Sequence, residues 1–381
     1  MAIYLDNAAT SYPKPKCVIE AMHKYFEDVG ANCGRSAHKQ AQEASRIVFE
    51  AREGVARLIG AQDSSRIIFT SNATEALNTA ILGLLKEGDE VITSSMEHNS
   101  VMRPLRFLED SRSVVINVVQ CSQEGELNPD DVRKTITSRT KLIVTTSASN
   151  VVGTIMPVRE IGEIARRHDI PFLVDAAQMA GCVPLNVTTD SLDMVAFSGH
   201  KGLLGPQGTG CLYIREGIGL QPLRFGGTGS RSEFESQPDF LPDRYESGTL
   251  NTIGIAGLGA AVNYIQERGV DTIRAEGQRL TGILLKRLSK IDKVTVYGPG
   301  EVERQTGVIS ITIEGMEPSE VGFELDSRYD IAVRVGLHCS PATHKILGTF
   351  PEGTVRISVG PFNSEDDIDI LCGSIEEIAA R

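Results

Sequence analysis

Ser198-Gly199-His200-Lys201-Gly202 stands where an apolar run, Asp193-Met194-Val195-Ala196-Phe197, gives way to a glycine-rich segment, Gly202 to Gly210. The run reads as a buried strand, so a lysine sits at the mouth of a strand that ends in a loop. The plain account is a solvated loop residue. A buried ammonium there is costly unless it is paired or chemically used. Working outward, the same alternation recurs. Expected strands at 67–69, 90–93, 114–119, 142–145 and 172–175 alternate with expected helices at 74–85, 99–109, from Asn128-Pro129, and at 157–167. Another strand is expected at 211–214, and two amphipathic helices, about 16–28 and 37–59, come earlier. Apolar runs separated by amphipathic helices imply an α/β fold with a mostly parallel sheet covered on both faces. In such sheets ligands gather at the carboxyl ends of the strands.

The pattern breaks over 216–250, where Gly226-Gly227-Thr228-Gly229-Ser230 and polar neighbours predict a long irregular loop. Helices are then expected at 251–267, 270–290, 318–327 and 365–379, with strands at 294–297, 307–312, 331–335 and 354–358. This predicts a large domain over 15–250 and a smaller α+β domain from 1–14 and 251–381. The chain has 381 residues, enough for two domains and a sizeable core. Its hydrophobic and charged fractions, 41% and 23%, are those of an ordinary globular protein. A net charge of −12 argues against a nucleic-acid partner. No stretch approaches the apolar length of a membrane span, and the N-terminus lacks a signal-peptide pattern. The seven cysteines are scattered and never spaced as CxxC, so no disulfide framework and no metal site is expected, and a reducing cytoplasm fits best.

Four polar signals fall at expected strand ends. Ser71-Asn72-Ala73-Thr74-Glu75 opens a helix, whose free N–H groups suit a phosphate; Asn72 or Thr74 could equally be a plain cap. Glu97-His98-Asn99-Ser100 supplies an imidazole that could stack on a flat ring or simply cap a helix. Asp175 ends the apolar Phe172-Leu173-Val174 and must be paired if buried; a metal or a helix N-terminus are the alternatives to a pyridinium N–H. Gln178, one turn on, could reach a phenolic oxygen. Lys201, with Ser198 and His200 as phosphate donors, completes the order. Phosphate site, imidazole, carboxylate and amine in sequence suggest pyridoxal phosphate, held on Lys201 as a Schiff base, with Asp175 keeping the ring an electron sink.

At this point a resemblance is plain. The chain resembles the class V aminotransferase family of pyridoxal phosphate fold type I, and within it the cysteine desulfurases of the SUF-type group. The matching motifs are Leu5-Asp6-Asn7-Ala8-Ala9-Thr10, Asn72-Ala73-Thr74-Glu75-Ala76-Leu77-Asn78, Glu97-His98-Asn99-Ser100, Ser149-Asn150-Val151-Val152-Gly153, Val174-Asp175-Ala176-Ala177-Gln178, Ser198-Gly199-His200-Lys201, Glu246-Ser247-Gly248-Thr249, Arg334-Val335-Gly336-Leu337-His338-Cys339 and Val355-Arg356-Ile357-Ser358. They span nearly the whole chain.

The resemblance implies a large domain with a mostly parallel seven-stranded sheet, a smaller α+β domain and a homodimer. It implies that Lys201 holds pyridoxal phosphate and shuttles protons, and that His98 stacks on the ring. Asp175 would pair with the ring nitrogen, and Gln178 and Asn150 would sit near the phenolic oxygen. Ala73, Thr74, Ser198 and His200 would bind the phosphate, and Thr249 would reach the neighbouring subunit's phosphate. Arg356 would clamp the substrate carboxylate as a planar fork, with Asn150, Arg334 and His38 nearby. Cys339 would take sulfur from L-cysteine as a persulfide and pass it to an acceptor protein, for instance in iron–sulfur cluster assembly. L-selenocysteine lyase, or another class V aminotransferase or C–S lyase, is the alternative. Two positions depart from the group's pattern. Leu337 stands where a histidine is usual, and Cys33, in the loop Gly30 to His38, adds a thiol near the expected site.

Overall fold

The computed structural model describes residues 2–34 and 38–381. Arg35, Ser36 and Ala37, within the loop expected at 30–38, lie outside the described residues, as does Met1. In chain order the first elements are β1 (Ile3–Tyr4), α1 (Lys16–Lys24), α2 (Lys39–Leu58), β2 (Ile67–Thr70), α3 (Ala73–Leu84), β3 (Glu90–Ser94), α4 (Asn99–Arg112) and β4 (Val115–Val119). Then come α5 (Pro129–Thr135), β5 (Thr140–Thr146), α6 (Val158–Arg167), β6 (Phe172–Asp175), β7 (Met194–Ser198) and β8 (Gly210–Ile214). The rest comprises α7 (Thr252–Arg268), α8 (Val270–Leu288), β9 (Val294–Tyr297), β10 (Val308–Ile313), α9 (Pro318–Tyr329), β11 (Ile331–Ala332), β12 (Arg334–Gly336), α10 (Pro341–Leu347), β13 (Thr354–Ser358) and α11 (Glu365–Ala379).

Seven strands form the large sheet in the order β2-β8-β7-β6-β5-β3-β4. Only β8 runs against its neighbours; the remaining pairings are parallel. Helices cover both faces, which is why β3 and β7 are buried along their whole length and why β7 reads as an apolar run up to Phe197. This is the mostly parallel seven-stranded sheet of fold type I. A second sheet, β12-β13-β10-β9, is antiparallel throughout and packs on α8, α9 and α11.

The expected strand at 331–335 divides. β11 pairs with β1, while β12 pairs with β13 across the smaller sheet. Near the expected domain boundary at 250, the two long helices pack into different cores. Ile255, Leu258, Ala261, Val262 and Ile265 of α7 join the large domain's core, whereas Leu280, Leu284 and Leu288 of α8 join that of the small sheet. On packing, we place the change of domain between α7 and α8. The close seat of α7 explains its glycines: a Cβ on Gly259 would lie 3.0 Å from the Ala51 Cβ of α2.

The long segment from 215 to 251 holds no helix or strand, as expected. It is pinned by a buried pair. The Arg52 guanidinium of α2 makes two bonds, 2.7 and 2.9 Å, to the Glu246 carboxylate, which also accepts the Phe69 N–H at 2.6 Å. No described helix is long and apolar enough to cross a membrane.

Candidate active site

The carboxyl ends of β2, β3, β5, β6 and β7 deliver the expected residues to one place. Lys201 follows β7 by three residues, and its ammonium has no hydrogen-bond or ion-pair partner among the described residues. Burial pushes it below the usual lysine range; Asp175 opposes that shift, while Arg356 and Arg334 add to it. Asp175, the last residue of β6, is 4% exposed. Burial raises its carboxyl, against an N–H from Ala177 at 3.0 Å and the nearby Lys201 charge. A carboxylate so placed gains by receiving a cationic N–H.

His98 caps α4. Its Nδ1 accepts the Ser100 N–H at 3.0 Å, so the neutral ring carries its proton on Nε2. Burial, with Lys201 and Arg334 behind it, holds the imidazole down to about 4. The Ser100 hydroxyl also meets Thr74 Oγ1 at 2.7 Å, tying the start of α4 to that of α3. The Ala73 N–H at the start of α3 donates to Ser198 Oγ at 3.0 Å. His200 contributes a buried Nδ1 with no partner, and burial lowers that ring to about 4 as well.

The N-terminal polar stretch, the first of the motifs that carry the resemblance, closes the floor. Gln178 donates to the Ala8 carbonyl at 3.0 Å. The Thr10 hydroxyl, the Ser11 N–H and the Lys14 ammonium all reach the His200 carbonyl, at 3.1, 3.0 and 2.8 Å. Asp6 accepts from Arg356 at 2.6 Å. Arg356 is 1% exposed, donates also to the Asn150 carbonyl at 3.1 Å, and keeps a buried Nε without a partner. An arginine fixed on two sides with donors to spare is suited to a carboxylate.

Cys339 arrives from the smaller domain. It is exposed, and Arg334 directs Nη2 at its sulfur from 4.0 Å. Its carbonyl accepts the Asn99 N–H at 2.8 Å, beside His98. Thr74, His98, Ser100, Arg103, Phe107 and Cys339 line one groove of about 440 Å³. Asn150 reaches this turn, bonding His338 and Ser340.

Two expected residues lie elsewhere in the chain. His38 is an exposed cap of α2, accepting the Ala41 N–H at 3.3 Å, and it does not line the groove. Thr249 is exposed and shares a separate surface cavity with Cys33. Cys33 itself receives the Thr252 hydroxyl at 3.6 Å, so within one chain it belongs with Thr249 and not with Cys339. Sequence reading missed Glu97, buried beneath His98. Its Oε1 accepts from Ser94 Oγ at 2.5 Å and from the Thr146 N–H at 3.0 Å, and burial raises its carboxyl to about 8. An acidic residue beside a histidine at a strand end was the available signal.

The chain is similar to known proteins along nearly its whole length. Residues 3–371 match the family model for aminotransferase class-V. A probable cysteine desulfurase of Methanothermobacter thermautotrophicus is 38% identical over 99% of this chain and 94% of its own. The apo structure of a cysteine desulfurase from Thermococcus onnurineus NA1 superposes with a TM-score of 0.92 at 36% identity, covering 100% of this chain and 95% of that one. A cysteine desulfurase of Escherichia coli superposes at 0.87 with 27% identity, covering 99% and 94%.

Proposed function

The chain belongs to the class-V aminotransferase family and within it to the cysteine desulfurases, and from that premise we propose that it converts L-cysteine to L-alanine and carries the sulfur away as a persulfide on Cys339. The observation that carries this reading is the meeting of an exposed thiol and a strand-end imidazole in one groove, joined by the bond from Asn99 to the Cys339 carbonyl.

The residues present fit pyridoxal phosphate. His200 offers an unpartnered buried nitrogen, Lys201 an unpaired amine of depressed basicity, and Asp175 a buried carboxylate short of a cation. Lys201 would hold the cofactor, Asp175 its ring nitrogen, and Ala73, Thr74, Ser198 and His200 its phosphate. When bound, the cofactor supplies an electron sink for charge developing at the substrate α-carbon. Arg356 receives the substrate carboxylate. Burial lowers the Lys201 amine from the usual lysine range, which favours its free-base form, and that form can move the α-proton. His98, neutral above about pH 4 and carrying its proton on Nε2, can donate a proton from that nitrogen. The Cys339 thiolate then attacks the substrate sulfur. The new S–S bond forms as the C–S bond breaks, and the carbon side takes up a proton to become alanine. We further propose a cytoplasmic homodimer, with the partner subunit's Thr249 completing the phosphate site and an acceptor protein reducing the persulfide.

The test is Cys339→Ala. The variant should keep the visible absorbance of bound pyridoxal phosphate yet form no alanine from L-cysteine. Unchanged turnover would reject the persulfide role.

A further inference from the structure

Cys339 sits in a turn that its own residues disfavour. Leu337 to Ser340 closes a reversal in which the Ser340 N–H donates to the Leu337 carbonyl at 2.9 Å. Both central residues are left-handed, His338 at φ 49° and Cys339 at φ 61°. Positive φ at both centres marks a type I′ turn, which selects Asn-Gly or Gly-Gly because a Cβ crowds the backbone there. Such a turn persists only where surrounding contacts over-determine it.

One side chain supplies two of those contacts. Asn150 Nδ2 donates to the His338 carbonyl at 2.7 Å, and its Oδ1 accepts the Ser340 hydroxyl at 2.8 Å. A carbonyl only accepts, so the amide's orientation is set by its partners. The two bonds bracket Cys339 on both sides. Asn150 is 8% exposed, so water competes poorly for either bond. Its own backbone is fixed in turn, because Arg356 donates to the Asn150 carbonyl at 3.1 Å. Ser149 Oγ, accepting from the Val151 and Val152 N–H groups at 3.2 and 3.3 Å, shapes the loop around it.

We propose that Asn150 is the positioning residue of the Cys339 thiol: its amide holds a backbone reversal that would otherwise relax, and so keeps the sulfur in the groove beside His98. The reason such positioning matters rests on the desulfurase reading; its measurement does not. The family resemblance assigns residue 150 to cofactor and substrate. Here one N–H and one lone pair of that amide are committed to the turn, which is a distinct task.

Hydrogen exchange on the cofactor-loaded protein reads the turn through the Ser340 amide and, across the groove, the Asn99 amide. Asn150→Ala should speed exchange of both about five-fold, the ratio that corresponds to one net hydrogen bond. Adding His338→Asn should bring both back to within about two-fold of wild type, because asparagine tolerates the left-handed region. Ser340→Ala, which leaves residue 150 in place and removes one of its two bonds, should speed the same amides and guards against a variant at 150 that does not fold. A side chain serving only as a ligand would leave exchange unchanged in the single variants and unrescued in the double, and either result overturns the proposal. Alanine formation by the wild type is followed in parallel: its absence would sink the desulfurase reading while leaving the exchange result to stand or fall by itself.

Discussion

The two reactive groups of the candidate site, Lys201 and Cys339, are held in opposite ways. Lys201 follows a strand buried along its whole length and hydrogen-bonded between β6 and β8. The carbonyl just before it is fixed by Thr10, Ser11 and Lys14. Cys339 is the exposed residue of a left-handed turn whose neighbours His338 and Ser340 are buried, held by Asn99 and Asn150 from the other domain and, through His338, by Thr354. A group that must keep a cofactor in one place belongs on the sheet. A group that must collect sulfur and give it up belongs on a reversal whose restraints are few and separable. The lysine's position follows from secondary structure, the cysteine's from tertiary bonds.

The largest effect should come from the rigid half. Lys201→Ala should reduce alanine formation by about a thousand-fold or more, the scale of losing a covalent and proton-shuttling amine. The far-ultraviolet circular dichroism should stay that of the wild type, since β7 does not depend on this side chain. Retained turnover would break the comparison at its root. Next comes the pair that pins the segment carrying Thr249. Arg52 and Glu246 are 6% and 7% exposed. Arg52→Met leaves a buried carboxylate without its partner and should lower stability to urea by about 3–5 kcal/mol. A loss under about 1 kcal/mol would mean that the anchoring lies elsewhere in the segment.

The asymmetry also decides what could be read from the sequence. Lys201, Asp175 and His98 were legible because each ends a strand or opens a helix, and apolar runs announce strands. The seven strands of the large sheet were each expected to within a few residues. The turn at Cys339 was not, because nothing local specifies it: His-Cys is a poor pair for a type I′ turn, and the residues that enforce it lie far off in the chain. α10 escaped notice for a related reason, being a short helix that follows the turn directly. The ion pair of Asp6 with Arg356 was not legible either, because its partners lie at opposite ends of the chain. The division of 331–335 into β11 and β12 depends on two different partner strands, a choice that a run of β-branched residues does not encode.

Acid should weaken the thiol's half of the molecule. His338 and His344 pack beneath the turn with ring centroids 5.6 Å apart, each bonded to a threonine, at 3.1 Å to Thr354 and 2.8 Å to Thr349. Burial holds His338 down to about 2, with Arg356 adding to the effect, and His344 down to about 4. In the unfolded chain each titrates near 6.5. Above that pH neither ring affects stability. As pH falls below it, the unfolded chain takes up protons that the fold refuses, and stability drops by about 1.4 kcal/mol per pH unit per ring. Between pH 6.5 and 4.5 that is about 2 kcal/mol apiece. Glu97 acts in the reverse sense. Raised to about 8, its carboxyl contributes fully below the unfolded value and loses that contribution as pH rises toward 8. Urea midpoints at pH 6.5 and 4.5 should therefore differ less in His344→Gln than in the wild type; equal differences would show that this ring does not carry the pH dependence.

The smallest effect is the most discriminating. Thr354 Oγ1 links His338 Nε2, at 3.1 Å, to Ser310 Oγ, at 2.9 Å, and Ser310 donates onward to the Val151 carbonyl at 2.7 Å. This chain joins the turn to the loop that carries Asn150, and it touches neither Lys201 nor the groove. Thr354→Val keeps the shape and β-branching of a residue inside β13 and removes only the hydroxyl. The loss should be about 1 kcal/mol of stability. If the two halves are held independently, the visible absorbance of the loaded cofactor and its titration should be those of the wild type, while alanine formation falls about five-fold because the thiol is no longer held in register. An altered absorbance titration would show instead that the turn and the lysine are coupled, and that the restraints on Cys339 reach through the sheet to the cofactor.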